Sequence, residues 1–370
     1  MDFRGRVFLA PLTKGGNLPF RRLCVAHGCA VTMGEMAYAF QVVRRSKSEL
    51  ALLRKHPEET CFGAQIAASR GSDAIAAGNA AVERGASWVD LNCGCPIHDI
   101  VRRGMGATLL QRPARLGKLV AEMVQGIPVP VTVKIRLGWS EDEQNASEVA
   151  AAIEDAGAAA LFVHGRTREQ RYSRAADWQA IARLVTERTI PVIGNGDVLT
   201  WYEAHDRWQA SGVASLMVGR GALIKPWLFR EIAERRAFEP DARERLGIYL
   251  DFAQKLKQHF RDDAKGRERA MRFLPWHFSF FCRYRPLSGE RWQEAARVHP
   301  LMQTRMDDDE PDLPVLERLL RDARPEVHER LAALLWDAPD LVAAESAASA
   351  LAAEMPPVRG EAGEVETAHG

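Results

Sequence analysis

The chain has 370 residues, 46% hydrophobic and 27% charged, which excludes a wholly disordered or fibrous protein and suits one large domain beside a smaller one. At this size about three quarters of the unfolded surface can be buried, so neither disulfides nor metals are needed for stability. The net charge of +1 hides an asymmetry, because residues 306–370 hold 16 acidic against 5 basic side chains (−11) and residues 1–305 therefore carry +12. A basic bulk suits a phosphate-bearing partner, or a solvated surface balanced by its own tail.

Taken in chain order, Met1-Asp2-Phe3-Arg4-Gly5-Arg6 lacks the apolar stretch of a secretory leader, and no apolar run approaches 18 residues. A soluble cytoplasmic protein, without membrane segments, is the expectation. Candidate strands follow at Val7–Ala10, Ala30–Met33, Cys61–Ile66 and Trp88–Leu91, then at Val131–Ile135, Ala160–Val163, Pro191–Ile193 and Ser215–Val218. Several are continuous apolar runs, as strands buried on both faces require. Helical spacing separates them, for instance over Ala74–Glu83, Leu116–Val124 and Ala146–Ala156. Eight strands, each followed by a helix or its remnant, are the arithmetic of a (β/α)₈ barrel, with an open doubly wound sheet as the rival.

After Pro226 the pattern changes. Leu246, Tyr249, Leu250, Phe252, Ala253 and Leu256, then Phe273, Trp276 and Phe280, recur at helical spacing without strand signals. One or two more helices are expected over Leu313–Trp336, with Pro311, Pro325 and Pro339 as breaks. The divisions read from this are a barrel over 1–238, a helical domain over 239–340, and a disordered acidic tail over 341–370, Ala-, Glu- and Gly-rich with Pro356-Pro357.

In barrels the chemistry sits at the C-terminal ends of strands. The seventh candidate strand ends in Gly194-Asn195-Gly196-Asp197 and the eighth in Gly219-Arg220-Gly221. Glycines there let backbone N–H groups approach phosphate oxygens, and Arg220 can neutralise their charge. The alternative is that the glycines only make tight turns. Lys134 lies in an apolar strand and needs an anionic partner, since burying it unpaired is costly. Gln65 and His164 are polar groups on neighbouring strands, and each alone could be a satisfied core residue. Together they suggest a bound phosphorylated cofactor.

The fourth strand exits through Asn92-Cys93-Gly94-Cys95-Pro96. A thiol at such an exit is a candidate nucleophile or proton donor, and its ordinary pKa keeps it mostly protonated at neutral pH. A metal set of Cys93, Cys95 and His98 lacks a further ligand, and a packing role is the other alternative. The six cysteines contain no C-x-x-C pair, so reduced thiols are expected. Between Lys255 and Arg297 stand 11 basic against 5 acidic residues, interleaved with Trp276, Phe280, Phe281, Tyr284 and Trp292. That mixture suits an RNA-gripping surface, although most of the aromatics can equally be core.

These residues, taken together, resemble the tRNA-dihydrouridine synthases over about Phe8 to Tyr284. The motifs carrying the resemblance are Ala10-Pro11-Leu12, Gly34-Glu35-Met36, Asn92-Cys93-Gly94-Cys95-Pro96, Gly104-Met105-Gly106-Ala107 and Val133-Lys134-Ile135-Arg136. They continue with His164-Gly165-Arg166-Thr167-Arg168, Ala176-Asp177-Trp178, Gly194-Asn195-Gly196-Asp197 and Gly219-Arg220-Gly221. Leu12 to Arg21, Arg168 to Tyr172, Ala222 to Phe229 and Phe281 to Tyr284 resemble the branch acting on the variable loop of tRNA.

The resemblance implies an FMN-binding barrel, a helical tRNA-binding domain, NADPH as reductant, and no metal. A monomer is expected. It implies Cys95 as the catalytic proton donor. Pro11, Leu12, Thr13, Gln65, Lys134, His164, Asn195, Gly196, Asp197, Gly219 and Arg220 would bind the cofactor. Asn92, Arg136, Arg166, Arg269 and Arg272 are the substrate candidates, Asn92 and Arg166 against the uracil. Two departures stand out: His98-Asp99 replaces a common lysine pair, and Cys93 replaces a common methionine, setting a second thiol close to the first. The rival readings are an FMN barrel oxidoreductase acting on a small molecule and a non-catalytic RNA-binding barrel.

Overall fold

Strands that are apolar on both faces need cover on both sides, and the sheet provides half of it by closing on itself. The computed structural model describes residues 1–304, 306 and 313–355. Its strands, all parallel, are β1 (Val7–Leu9), β2 (Val31–Met33), β3 (Ala37–Tyr38), β4 (Cys61–Ala67), β5 (Trp88–Cys93), β6 (Val131–Arg136), β7 (Ala160–His164), β8 (Val192–Asn195) and β9 (Ser215–Val218). They run β2-β1-β9-β8-β7-β6-β5-β4-β3, and a further β2–β4 pairing closes an eight-stranded barrel. The short β3, which the sequence reading missed, adds to the upper end of β4 through Ala37↔Ile66. All eight expected strands are present, and the open sheet is excluded.

Pleating sorts each strand. Val89, Leu91 and Cys93 of β5 face the outer helices, as do Val131, Val133 and Ile135 of β6. The alternate residues face inward, so continuous apolar runs conceal a strict inside–outside alternation. Low in the barrel the inward set is apolar: Phe8, Val31, Met33, Trp88, Phe162, Ile193 and Met217, plugged from below by Phe3. Phe3 and Phe8 both meet the Trp88 ring edge-on, with centroids 5.8 and 6.0 Å away. Such pairs add roughly 0.5–1.5 kcal/mol each to their burial. Higher up, the inward positions turn polar, and there the site begins.

Trp88 occupies the space a side chain on β4 would fill. A methyl group at Gly63 would lie 2.1 Å from the Trp88 ring. Gly63→Ala is therefore expected to cost about 1–3 kcal/mol through overpacking. A denaturation series measures this, and the loss should shrink in a Trp88→Phe background, where the smaller ring makes room.

Helices cover the barrel outside, including Gly71–Val82, Pro113–Gly126, Ala146–Asp155, Trp178–Glu187 and Trp201–Ser211. Among the described residues, the regular elements of the later region are all helices, with Ala242–Phe260, Ala264–Ala270, Leu274–Phe281, Glu290–Val298, Val315–Arg321 and Pro325–Asp337. Its longest helix starts on a capping box of Asp241 and Glu244. One apolar cluster runs unbroken from the barrel's outer layer into this region. His277 Nε2 lies 3.4 Å from the Gly15 carbonyl in the first barrel loop, and the Tyr202 hydroxyl donates to the Leu287 carbonyl at 2.9 Å.

The expected disordered tail needs correction. Leu341–Glu354 is a helix whose N-cap Asp340 accepts from the Ala343 N–H. Ala344, Ala348, Leu351 and Ala352 are buried against the long helix Ala242–Phe260 and its neighbours. An alanine-rich stretch reads as low complexity, yet alanine is the best helix former and its small side chain permits close packing. Residues 356–370 lie outside the described residues. Among the described residues, no helix is long and apolar enough to cross a membrane.

Candidate active site

The polar upper ends of the strands surround a cavity of about 360 Å³. Fifteen of the seventeen site residues expected from the sequence line it: Pro11, Leu12 and Thr13 from the first loop, Gln65, Asn92, Cys95, Lys134, Arg136, His164 and Arg166, then Asn195, Gly196, Asp197, Gly219 and Arg220. Arg269 and Arg272 do not. They are exposed on the helical region, where Arg272 pairs with Glu268 at 2.6 Å.

The first loop is held from behind. Arg21 is buried and bonded to Glu59 at 2.7 Å, and it also donates to the Gly16 and Arg54 carbonyls. Glu35 accepts the Lys14 N–H at 2.7 Å, where Lys14 adopts a left-handed φ of 62°. Burial pushes Glu35 up to about 6 against that bond.

Across β4, β5 and β6 runs a relay of hydrogen bonds fixed by strand register. Thr132 Oγ1 donates to Asp90 at 2.6 Å, Gln65 Nε2 donates to Asp90 at 2.8 Å, and Asn92 Nδ2 donates to Gln65 Oε1 at 2.8 Å. Asn92 Oδ1 then accepts the N–H groups of Gly94 and Cys95 at 3.2 and 2.9 Å. The relay therefore ends by positioning the main chain that carries Cys95. Arg136 braces the same loop, donating to the Gly94 carbonyl at 2.9 Å and to Thr167 at 2.9 Å. Cys93, by contrast, points outward into the helix layer, because it alternates with Asn92. The pleat separates the two thiols that the sequence sets two positions apart.

The cavity is strongly cationic. Burial, then Arg136, lowers Lys134 to about 8, while Asp90 and Cys95 pull the other way. Burial lowers Arg220 to about 10 against the pull of Tyr172 and Asp197. His164 is held well below its ordinary range by burial and by Arg136, Lys134, Arg166 and Arg220. Arg166 Nη1 lies 3.1 Å from His164 Nε2, and since a guanidinium only donates, Nε2 accepts and the ring proton sits on Nδ1. Arg166 also bonds Asp197 at 2.5 Å and the Arg174 carbonyl at 2.6 Å. Asp197 in turn takes Arg220 at 2.9 Å and the Ala176 N–H at 2.8 Å. Burial pushes the Cys95 thiol above its ordinary range, against the Ile97 N–H, Arg136 and Lys134. It stays a thiol at neutral pH.

Asp90 carries a pH signature. Burial pushes it up to about 6, against its bonds to Thr132 and Gln65 and the charge of Lys134. A carboxyl that binds its proton more tightly when folded loses stability as pH rises from its ordinary value of about 4 through about 6. Glu35 adds to the same trend. Asp90→Asn should flatten the stability curve in that window by up to about 3 kcal/mol, read from denaturant midpoints between pH 4 and 7.

Sequence reasoning missed several lining groups. Tyr172 stacks its ring against Arg220, 4.0 Å from the guanidinium carbon, with Arg166 and Arg136 at 5.8 and 5.9 Å. Trp276 and Phe280, read as core or RNA surface, form a wall of the cavity together with Met302. Nothing in a helical i, i+4 aromatic pair says that it faces a barrel mouth. Asp90, which bonds Gln65 without lining the cavity, had a signal: it shares a face with Asn92 at period two. Among the described residues no group of three or more His, Cys, Asp or Glu could hold a metal ion.

Comparison with known proteins bears on this arrangement. A human protein named tRNA-dihydrouridine(47) synthase (NAD(P)(+))-like is 41% identical over 290 residues, covering 78% of this chain and 44% of the human protein. A tRNA-dihydrouridine(47) synthase of Coprinopsis cinerea is 38% identical over 302 residues, covering 78% of this chain and 45% of its own length. The chain thus spans less than half the length of the curated relatives it matches. Among solved structures, histamine dehydrogenase from Rhizobium sp. 4-9 superposes with a TM-score of 0.51 at 13% identity, covering 68% of this chain and 49% of that one, a likeness of fold alone. The family model described as dihydrouridine synthase (Dus) matches residues 8–297, from the first barrel strand to the helix that ends at Val298, and the chain belongs to that family.

Proposed function

We propose that the chain is a tRNA-dihydrouridine synthase, reducing a uridine of tRNA to 5,6-dihydrouridine with NADPH through FMN held in the barrel mouth. The observation that carries this reading is the cavity's donor set. Lys134, Arg136, Arg166 and Arg220 converge there, and among the described residues Asp197 is the one acid that lines the cavity with them, with Asp90 buried behind Gln65 and the thiol of Cys95 on the rim. Buried cations in excess call for an anionic ligand, and a phosphorylated planar cofactor fits.

Arg220, oriented by Asp197, would hold its phosphate with the backbone of Gly196 and Gly219 and with Asn195. Pro11, Leu12 and Thr13 would lie along the ring system, and Gln65, Lys134 and His164 would meet its polar edge. FMN, when bound, supplies hydride-transfer chemistry, accepting two electrons and a proton from NADPH for delivery to uracil C6.

The remaining steps belong to the chain. Lys134, still largely protonated at neutral pH with its pKa near 8, offers a cation where negative charge collects. Asn92 has spent its Oδ1 on Gly94 and Cys95 and one N–H on Gln65, so its second N–H remains for a uracil carbonyl. Cys95 gives its proton to uracil C5. The target nucleotide has to leave its stack to enter a recessed cavity. We take 1–238 as the catalytic domain and the helical region from 239 through the helix Leu341–Glu354 as the tRNA-binding domain, its charge excess between Lys255 and Arg297 facing phosphate. Arg269 and Arg272 then belong to that outer RNA surface. The relatives' names point to position 47, in the variable loop. A reducing compartment such as the cytoplasm accords with six free cysteines, and we take the protein as a monomer.

The test is direct. The purified protein should show a flavin spectrum and, given NADPH and tRNA from a dihydrouridine-deficient strain, should form dihydrouridine at one mapped position. Bound flavin with NADPH turnover but no modified uridine would favour a small-molecule oxidoreductase. A colourless protein that still binds tRNA would favour the non-catalytic binder.

A further inference from the structure

Beside the Cys95 lip of the cavity stands a small apolar cluster of its own. Ala67, Ile100 and Met105 form its buried centre, with Met36, Tyr38, Phe40, Cys95 and Ile97 packed around it. Met36, Cys95 and Ile97 also line the cavity, so the cluster runs from the site's rim to the outer surface. Tyr38 and Phe40 are half-buried, their rings 5.8 Å apart.

Two exposed guanidinium groups rest on the Phe40 ring. The Arg103 carbon is 5.3 Å from the ring centroid and the Arg44 carbon 5.8 Å. Arg44 and its neighbour Arg45 are exposed and take part in no ion pair among the described residues. Arg103 shares Asp99 with Arg102, at 3.1 and 3.3 Å. Four arginines thus face one exposed carboxylate. Glu49, the other acid nearby, is buried and bonded to the Tyr38 N–H. None of these arginines lines the cavity, so the chemistry proposed above leaves them unused.

We propose that Arg44 and Arg103, seated on Phe40 and supported by Arg45, grip the RNA phosphates next to the flipped uridine. The inference rests on the reading of the substrate as RNA. Drawing one nucleotide into a recess brings its flanking phosphodiesters down onto the rim, and the rim on the Cys95 side leads to these groups. A guanidinium already resting on an aromatic face has surrendered part of its freedom before binding, so less is lost when phosphate arrives. Its planar fork then matches two phosphate oxygens. The phosphates of NADPH share this chemistry, and the experiment separates the two.

Arg44→Ala, Arg103→Ala and Phe40→Leu are made in the full flavin-loaded protein. For each, tRNA affinity is measured at several salt concentrations, and flavin reduction by NADPH is timed without RNA. Each arginine variant should bind tRNA about 5-fold more weakly, with a salt dependence shallower by about 0.7–0.9 in log–log slope. Phe40→Leu should weaken binding about 3-fold without removing any charge, and Phe40→Tyr should restore it. NADPH-driven reduction should stay within twofold throughout. Wild-type affinity and slope in all variants, with the parent protein active on tRNA, would overturn this inference alone. A loss confined to the NADPH step would overturn it in favour of the reductant. A parent protein that neither binds nor modifies tRNA would overturn the RNA reading and this inference with it.

Discussion

Cys95→Ala is expected to lower uridine reduction by about 10²–10⁴-fold while leaving the protein folded and yellow, the range that removal of a positioned general acid commands. The loop does not depend on the thiol for its shape. Its main chain is held by Asn92 Oδ1 on the Cys95 N–H, by Arg136 on the Gly94 carbonyl, and by the Ala107 N–H on the Cys95 carbonyl at 3.1 Å. None of those bonds involves Sγ. Single-turnover kinetics on tRNA, with flavin content checked by absorbance, measure the effect. A rate within threefold of the parent would remove Cys95 from the chemistry, and a flavin-free variant would make its role structural. Because burial raises the thiol's pKa, the proton donor should persist through neutral pH. The loss of activity that belongs to Cys95 should then come above the ordinary thiol range, after the loss of the Lys134 cation, whose pKa is about 8, has already begun to lower the rate.

The second large effect is expected at Asp197, where one carboxylate bridges two guanidinium groups. Asp197→Ala would leave Arg166 fully buried among Lys134, Arg136 and His164 without its counter-charge. Breaking a buried pair in this way costs about 3–5 kcal/mol. Asp197 also sits at a φ of 49°, which alanine tolerates less well than asparagine or aspartate. Asp197→Asn should therefore lose less, keeping the backbone conformation and one acceptor. Urea midpoints with unchanged slope measure both. The pH sign follows from the balance of forces: burial raises the Asp197 pKa, but Arg166 and Arg220 outweigh it and leave the carboxyl below its ordinary value. Its stabilisation is then complete above the ordinary carboxyl pKa and is lost as pH falls through the depressed one. The alanine variant should lack that acid limb. A loss below about 1 kcal/mol would mean that water, not the buried pair, satisfies these arginines.

Much of this was legible in the sequence because barrel strands announce themselves twice. Their apolar runs mark the strands, and glycine and polar residues at fixed offsets mark the mouth, so the positions of Lys134, His164, Asn195 and Arg220 follow from the sequence. What stayed hidden depended on direction rather than identity. Cys93 and Cys95 look alike on paper, and the pleat alone sends one outward. Tyr172 sits in an irregular loop, where no periodicity says which way a ring turns. Trp276 and Phe280 belong to a helix whose aromatic face could as well have packed inward, and only tertiary contact aims it at the cavity. The helix Leu341–Glu354 failed for a different reason: alanine packing carries almost no hydropathy contrast.

That wall of Trp276, Phe280 and Met302 has a consequence for how the protein is made. Gly15, in the first barrel loop, is crowded by two side chains: a methyl group there would lie 2.9 Å from Leu223 Cδ2 and 3.0 Å from the Trp276 ring. The pocket is therefore assembled from the two ends of a long stretch of chain, and 292 positions separate its first lining residue, Ala10, from its last, Met302. On a ribosome delivering residues at about 5–20 per second, the barrel strands all emerge several seconds before Met302 does. Until then the nascent barrel holds its arginines around a recess that lacks one wall, and the pocket is closed only when the C-terminal third arrives.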